Sequence, residues 1–139
     1  MDNKKHIVAV TAFIRNLKRD KFLIIKRSMN EIAYPGKWGF VGGKLERGET
    51  IMDTLKREVL EEVGLDIEDH KEFLYDYTFC RPDVYNVVGV CFEVKVKSED
   101  VVLEKDFDDF AWVTKEEFKD YDTIKGMDKQ LELIFKEEP

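Results

Sequence analysis

The chain has 139 residues, of which 43% are hydrophobic, 12% aromatic and 38% charged, and its 30 acidic and 23 basic side chains leave a net charge of −7. That length fits a single domain spanning residues 1–139, able to bury roughly two-thirds of its unfolded surface without disulfide or metal staples, and the apolar content excludes a disordered or low-complexity chain. The acidic balance, with no long basic run, argues against binding duplex nucleic acid or a lipid surface, but not against a small phosphorylated substrate held through metal cations.

The start, Met1-Asp2-Asn3-Lys4-Lys5, is polar and lacks the apolar stretch of a signal peptide. No run approaches the roughly 18 apolar residues of a membrane helix, so the expectation is a cytoplasmic protein. His6–Ile14 and Lys21–Lys26 are rich in Val, Ile and Phe and predict two strands. The charged link Arg15–Asp20 between them is short enough for a hairpin. From Ser28 to Gly48 the pattern breaks, with Pro35 and the glycines Gly36, Gly39, Gly42, Gly43 and Gly48. A glycine-rich loop of that length inside a compact domain points to function.

Thr50–Val63 predicts a helix, because Met52, Leu55, Val59 and Val63 recur on one face and Gly64 supplies the stop. Glu72–Cys80 and Tyr85–Lys97 predict two strands around Arg81-Pro82-Asp83. Such a hairpin could set Cys80 opposite Cys91, the only two cysteines, which the expected compartment would keep reduced. Phe110–Val113 reads as a short strand, Thr114 with Glu117 as a capping box, and Met127–Lys136 as a helix with Leu131, Ile134 and Phe135 on its apolar face. This irregular alternation predicts a mixed sheet covered by helices.

The chemistry concentrates on the first helix. Glu58, Glu61 and Glu62 stand at i, i+3 and i+4, within an arc of about 100° beside the apolar face. An acidic surface face partnered by Lys56 and Arg57 is the ordinary account of such a run. Three adjacent carboxylates nevertheless repel one another. Hard divalent cations such as Mg²⁺ or Mn²⁺ compensate them best, whereas zinc would call for Cys or His, and only His6 and His70 exist. No G-x-x-x-x-G-K-[ST] phosphate loop, no G-x-G-x-x-G fingerprint and no EF-hand loop is present.

The flanks of the glutamate run are more specific. From Gly43 to Leu65 the chain reads Gly, five residues, Glu49, seven residues, Arg57-Glu58-Val59-x-Glu61-Glu62-x-Gly64-Leu65. This resembles the Nudix box, G-x5-E-x7-R-E-U-x-E-E-x-G-U with U aliphatic, at every specified position. The strands, the W-G-F-V-G-G-K loop and the terminal helix extend the resemblance over nearly the whole chain. Val41 departs from it, standing where the family commonly has Pro.

The resemblance implies a Nudix-type α/β/α sandwich with a mixed sheet, and an Mg²⁺- or Mn²⁺-dependent hydrolase that cleaves a nucleoside diphosphate linked to another group. Glu58, Glu61, Glu62 and the Gly42 carbonyl would be metal ligands, and Arg57 would pair with Glu49. A carboxylate outside the box, Asp106 ahead of Glu104 and Asp109, would complete the metal site. The general base stays open, with Glu58 and Glu61 ahead of Glu49. Arg27, Lys44 and Asp128 are the candidate substrate residues. Trp38, Phe40 and Tyr34 could form core or a wall for a base. The nearest resemblance is to MutT-like nucleoside triphosphate pyrophosphohydrolases, including those acting on oxidised dGTP. An ADP-sugar or dinucleotide substrate, or a non-catalytic nucleotide sensor, are the alternatives. The protein would act on a small nucleotide as a monomer or homodimer.

Overall fold

The computed structural model describes residues 5–80 and 85–136. Its strands are β1 (His6–Arg15), β2 (Phe22–Arg27), β3 (Trp38–Gly39), β4 (Val41–Lys44), β5 (Ile67–Cys80), β6 (Asn86–Val96) and β7 (Phe107–Val113), with helices α1 (Ile51–Val63) and α2 (Met127–Phe135). A 3-10 turn, Glu117–Asp120, follows β7. Among the described residues no helix is long and apolar enough to cross a membrane.

The seven strands form one mixed sheet in the order β3-β2-β1-β6-β5, with β4 paired to β1 and β7 to β2. β1 lies parallel to β6 from His6↔Asn86 to Arg15↔Lys95. Its other edge is shared: Ala9–Ala12 pairs antiparallel with β4, while Arg15 at the far end meets Phe22 of β2. β2 then pairs antiparallel with β3 on one side and β7 on the other.

Strand alternation decides what each face buries. Val10, Ala12 and Ile14 of β1 and Leu23 and Ile25 of β2 form one core with Leu55, Val59 and Val63 of α1. Phe13, Phe22 and Ile24, the intervening residues, form a second core with Met127, Leu131 and Ile134 of α2. The sheet is thus sandwiched between the two helices, as an α/β/α arrangement requires. On α1 this burial outweighs electrostatics. Each fully buried Val or Leu contributes about 1.5–3 kcal/mol, whereas a like-charge pair on a helix costs only about 0.2–0.5 kcal/mol. The helix can therefore carry three neighbouring glutamates.

Several expectations need correction. The stretch from Ser28 to Gly48 is not irregular throughout: it contains β3 and β4. Both are too short for a periodic signal, and only their partners on β2 and β1 define them. β5 starts at Ile67 and β7 at Phe107, earlier than alternation suggests. In β5 the register shifts between Ile67 and Lys71 and between Phe73 and Tyr75, which breaks the simple period. Those shifts set Tyr75, not Cys80, opposite Cys91, and both cysteines are free. The Arg81-Pro82-Asp83 turn lies outside the described residues. The Thr114–Glu117 box forms with both reciprocal bonds, at 2.9 and 3.1 Å.

Candidate active site

α1 is set by its ends. Thr50 caps it in a box with Asp53, a T-x-x-D signal that the apolar periodicity of the helix does not reveal. Gly64 closes it in the left-handed conformation, at φ 68°, where Gly is favoured. The last-turn carbonyls of Glu62 and Val63 would otherwise lack partners. Backbone N–H groups of Glu104 and Val102 satisfy them, at 3.0 and 2.9 Å. Capping the helix in this way carries the acidic run 104–109 to the glutamates.

Arg57 organises the centre. Its Nε and Nη2 donate to both oxygens of Glu49, at 2.7 and 2.9 Å, and Nη2 also donates to the Lys44 carbonyl at 3.1 Å. Nη1 donates to Glu58 at 2.7 Å and reaches Glu61 at 3.4 Å. The guanidinium therefore ties the β4 end and the loop before α1 to the helix. Its fork is the main reason that the Glu49 carboxyl is held down to about 2, helped by the Glu46 N–H and Thr54 hydroxyl. Lys56, by contrast, turns outward to Asp69 at 3.0 Å.

The three helix glutamates differ in setting. Glu61 is 57% exposed, whereas Glu58 is 13% exposed and lies against Gly43, where any Cβ would collide with its carboxylate. Burial raises the pKa of Glu58, opposed by Arg57. Glu62 accepts the Gly42 N–H at 3.1 Å. Burial pushes its carboxyl up to about 8, against that N–H, with Glu58 and Glu104 adding to the rise. A carboxylate whose folded pKa lies above its ordinary 4.5 binds an extra proton in the folded state between those values. Its stabilising effect is complete below about 4.5 and is lost as pH rises towards 8. Scanning calorimetry in chelator should therefore show a Tm that falls from pH 5 to 8, with a shallower fall in Glu62→Gln. Equal slopes would contradict this account of Glu62.

The remaining candidates fall into place unevenly. Glu104, rather than Asp106, is joined by its backbone to Glu62. Burial and Asp106 together raise the Glu104 pKa, and the Asp106 carbonyl accepts the Ser28 N–H at 3.1 Å. Asp109 turns back to the Phe110 N–H at 2.8 Å. Arg27 ends β2 next to this segment, but its Nε is engaged by the Ala33 carbonyl at 2.8 Å and its Nη2 lies 3.5 Å from Glu31. Lys44 contributes a carbonyl to the Arg57 clasp. Asp128 is exposed in the first turn of α2. Trp38 is core, edge-on to Tyr121 at 4.9 Å, Phe40 packs against the same core, and Tyr34 is 55% exposed on the outer loop. Gly43 and Glu104 have no distinctive sequence signal as neighbours of Glu58 and Glu62; pairing of β4 with β1 and capping of α1 bring them there.

A sandwich whose helix carries three carboxylates, with an arginine clasping the preceding loop, is the arrangement that the box pattern leads one to expect of a pyrophosphohydrolase. The sequence model of the NUDIX domain matches residues 5–134, and the chain belongs to the Nudix family of hydrolases. It is 31% identical over 110 residues to the nucleoside triphosphatase NudI of Salmonella arizonae, covering 73% of this chain and 78% of that one. Among solved structures, the MutT protein of Methanosarcina mazei superposes with a TM-score of 0.79 at 27% identity, over 99% of this chain and 98% of that one. A Nudix hydrolase from Nitrosomonas europaea shares the fold, with a TM-score of 0.75 at 24% identity over 93% and 88% of the two chains.

Proposed function

We propose that the chain is an Mg²⁺- or Mn²⁺-dependent nucleoside triphosphate pyrophosphohydrolase, releasing a nucleoside monophosphate and pyrophosphate. The carrying observation is the Arg57 clasp, which fixes Glu58 beside Glu61 and Glu62 at the glycine edge of β4. The similarity to a protein named as a nucleoside triphosphatase supports this substrate class. Oxidised dGTP is one candidate within it, and the thiols free at both cysteines suit a cytoplasmic enzyme. Residues 1–139 would serve as one catalytic domain.

The donor set suits a hard cation. All three helix ligands are carboxylates, and Glu62 carries a raised pKa of the kind a bound cation would relieve. No three metal-binding side chains stand ready to hold an ion among the described residues. Arg57 draws Glu58 towards itself and Gly42 draws Glu62 towards β4. Glu58, Glu61 and Glu62 would hold the ion, with Glu104 or Asp106 as the outside carboxylate. When bound, a divalent cation there neutralises phosphate charge and acidifies water.

Glu58 would take a proton from the attacking water, its carboxylate held in place by Arg57 Nη1 at 2.7 Å and by its fit against Gly43. Water oxygen bonds to phosphorus as the bridging P–O bond breaks, and the leaving phosphate keeps that electron pair. Arg57 is a positioning residue that holds Glu58 and the loop. Hydrolysis in ¹⁸O-labelled water, followed by mass analysis, tests the reaction. Monophosphate and pyrophosphate are expected from a triphosphate; diphosphate and orthophosphate from every triphosphate would overturn the mechanism. Cleavage of ADP-ribose alone would keep the reaction class and replace the substrate.

A further inference from the structure

At the far end of β1 a cavity of about 360 Å³ is lined by Arg15, Arg19, Lys21 and Lys115, with Phe22 and Phe135 as its apolar wall. It lies away from the box carboxylates. Arg15 is about 13 Å along β1 from Thr11, the residue that pairs with Gly42. Phe22 and Phe135 belong to the core under α2, whereas the box glutamates stand on α1, on the other side of the sheet.

The acids at this cavity do not use up its positive charge. Buried Glu93 accepts from Arg15 Nε at 3.0 Å and from Arg19 Nη2 at 2.7 Å, so a single carboxylate answers both guanidinium groups. Arg19 holds this position with φ 59°, in the left-handed region that glycine or asparagine adopts more readily. Its side chain is 46% exposed, so part of the guanidinium remains open to a ligand. Asp20 also lines the cavity, but accepts from the Asn16 amide at 2.7 Å. Lys21 and Lys115 form no ion pair among the described residues, and Lys115 lies over the Phe135 ring, 5.6 Å from its centroid. With Asp20 and Glu116 as the acids of the lining, a surplus of cations remains. In a chain of net charge −7, this cavity attracts anions that the rest of the surface repels, and its apolar wall concentrates the field.

We propose that this cavity is a second ligand site, which takes a polyvalent phosphate-class anion directly on Arg19, Lys21 and Lys115, without a divalent metal. Charge-assisted hydrogen bonds from ammonium and guanidinium groups suit phosphoryl oxygens. The box has the opposite chemistry: its carboxylates repel phosphate unless a cation stands between them. The two sites are therefore told apart by their need for metal. The proposal uses no box residue and stands apart from the choice of substrate.

Titration calorimetry of the full chain in EDTA at low ionic strength, with inorganic pyrophosphate as the probe, tests this. Binding is expected without metal, and it should weaken as added salt screens the cations. Combining Lys21→Gln with Lys115→Gln should weaken it about tenfold or more, because two charged donors are lost. Glu61→Gln should bind the probe as the wild type does; a changed affinity there would place the binding at the box and overturn the proposal. Absence of binding in EDTA would also overturn it, as would equal affinity in the folded double variant. Should the double variant fail to fold, Lys115→Gln alone decides, since that side chain is exposed. A loss of about threefold is expected from it, and unchanged affinity overturns the proposal.

Discussion

Glu58→Gln should lower kcat by about 10³-fold or more at saturating Mg²⁺, the upper part of the range for removing a positioned general base. The replacement is isosteric. Its amide oxygen can still accept from Arg57 Nη1, which now donates to Glu58 at 2.7 Å, and it still fits against Gly43. The apolar contacts of Leu55, Val59 and Val63 are untouched. The Tm should therefore stay within a few degrees of wild type while turnover collapses. Steady-state kinetics beside a thermal melt make the comparison. Turnover within tenfold of wild type would remove Glu58 from the chemistry, and a collapse of Tm would mean that the lost activity reports unfolding.

Arg57→Ala should lower kcat about 100-fold and also reduce Tm by several degrees. The guanidinium makes five contacts within 3.4 Å, to Glu49, Glu58, Glu61 and the Lys44 carbonyl. Its loss leaves these carboxylates without their shared cation and frees the loop before α1. Displacement of a catalytic group by about 1 Å is enough to cost 10²-fold. Arg57→Lys should recover little, because a single ammonium cannot donate in parallel to both Glu49 oxygens. Full activity in Arg57→Lys would show that only the charge matters. Retained Tm in Arg57→Ala would show that the clasp does not stabilise the fold.

Local features that repeat or cap are legible in the order of residues alone. The α1 periodicity and its Gly64 stop agree with Ile51–Val63, and the Thr114–Glu117 box forms as spaced. The pairing of Arg57 with Glu49 also follows from the box pattern, since the resemblance includes both positions. The acidic run 104–109 illustrates the opposite case. Nothing in the order of residues places it beside Glu62, and the backbone bond from Glu104 to Glu62 that does so exists only because this segment caps α1.

The family, the carboxylate-bearing helix and the two apolar faces can be read from the order of residues, because each rests on residues close in the chain or on short periodic spacing. Tertiary structure alone decided the two-residue β3, the four-residue β4, the parallel pairing of β1 with β6 and the partner of Cys91. It also decided that Gly43 lies against Glu58 and that Arg19, Lys21 and Lys115 line one cavity. These depend on which distant strands become neighbours and in what register. A one-residue change of register exchanges the two faces without changing a single side chain.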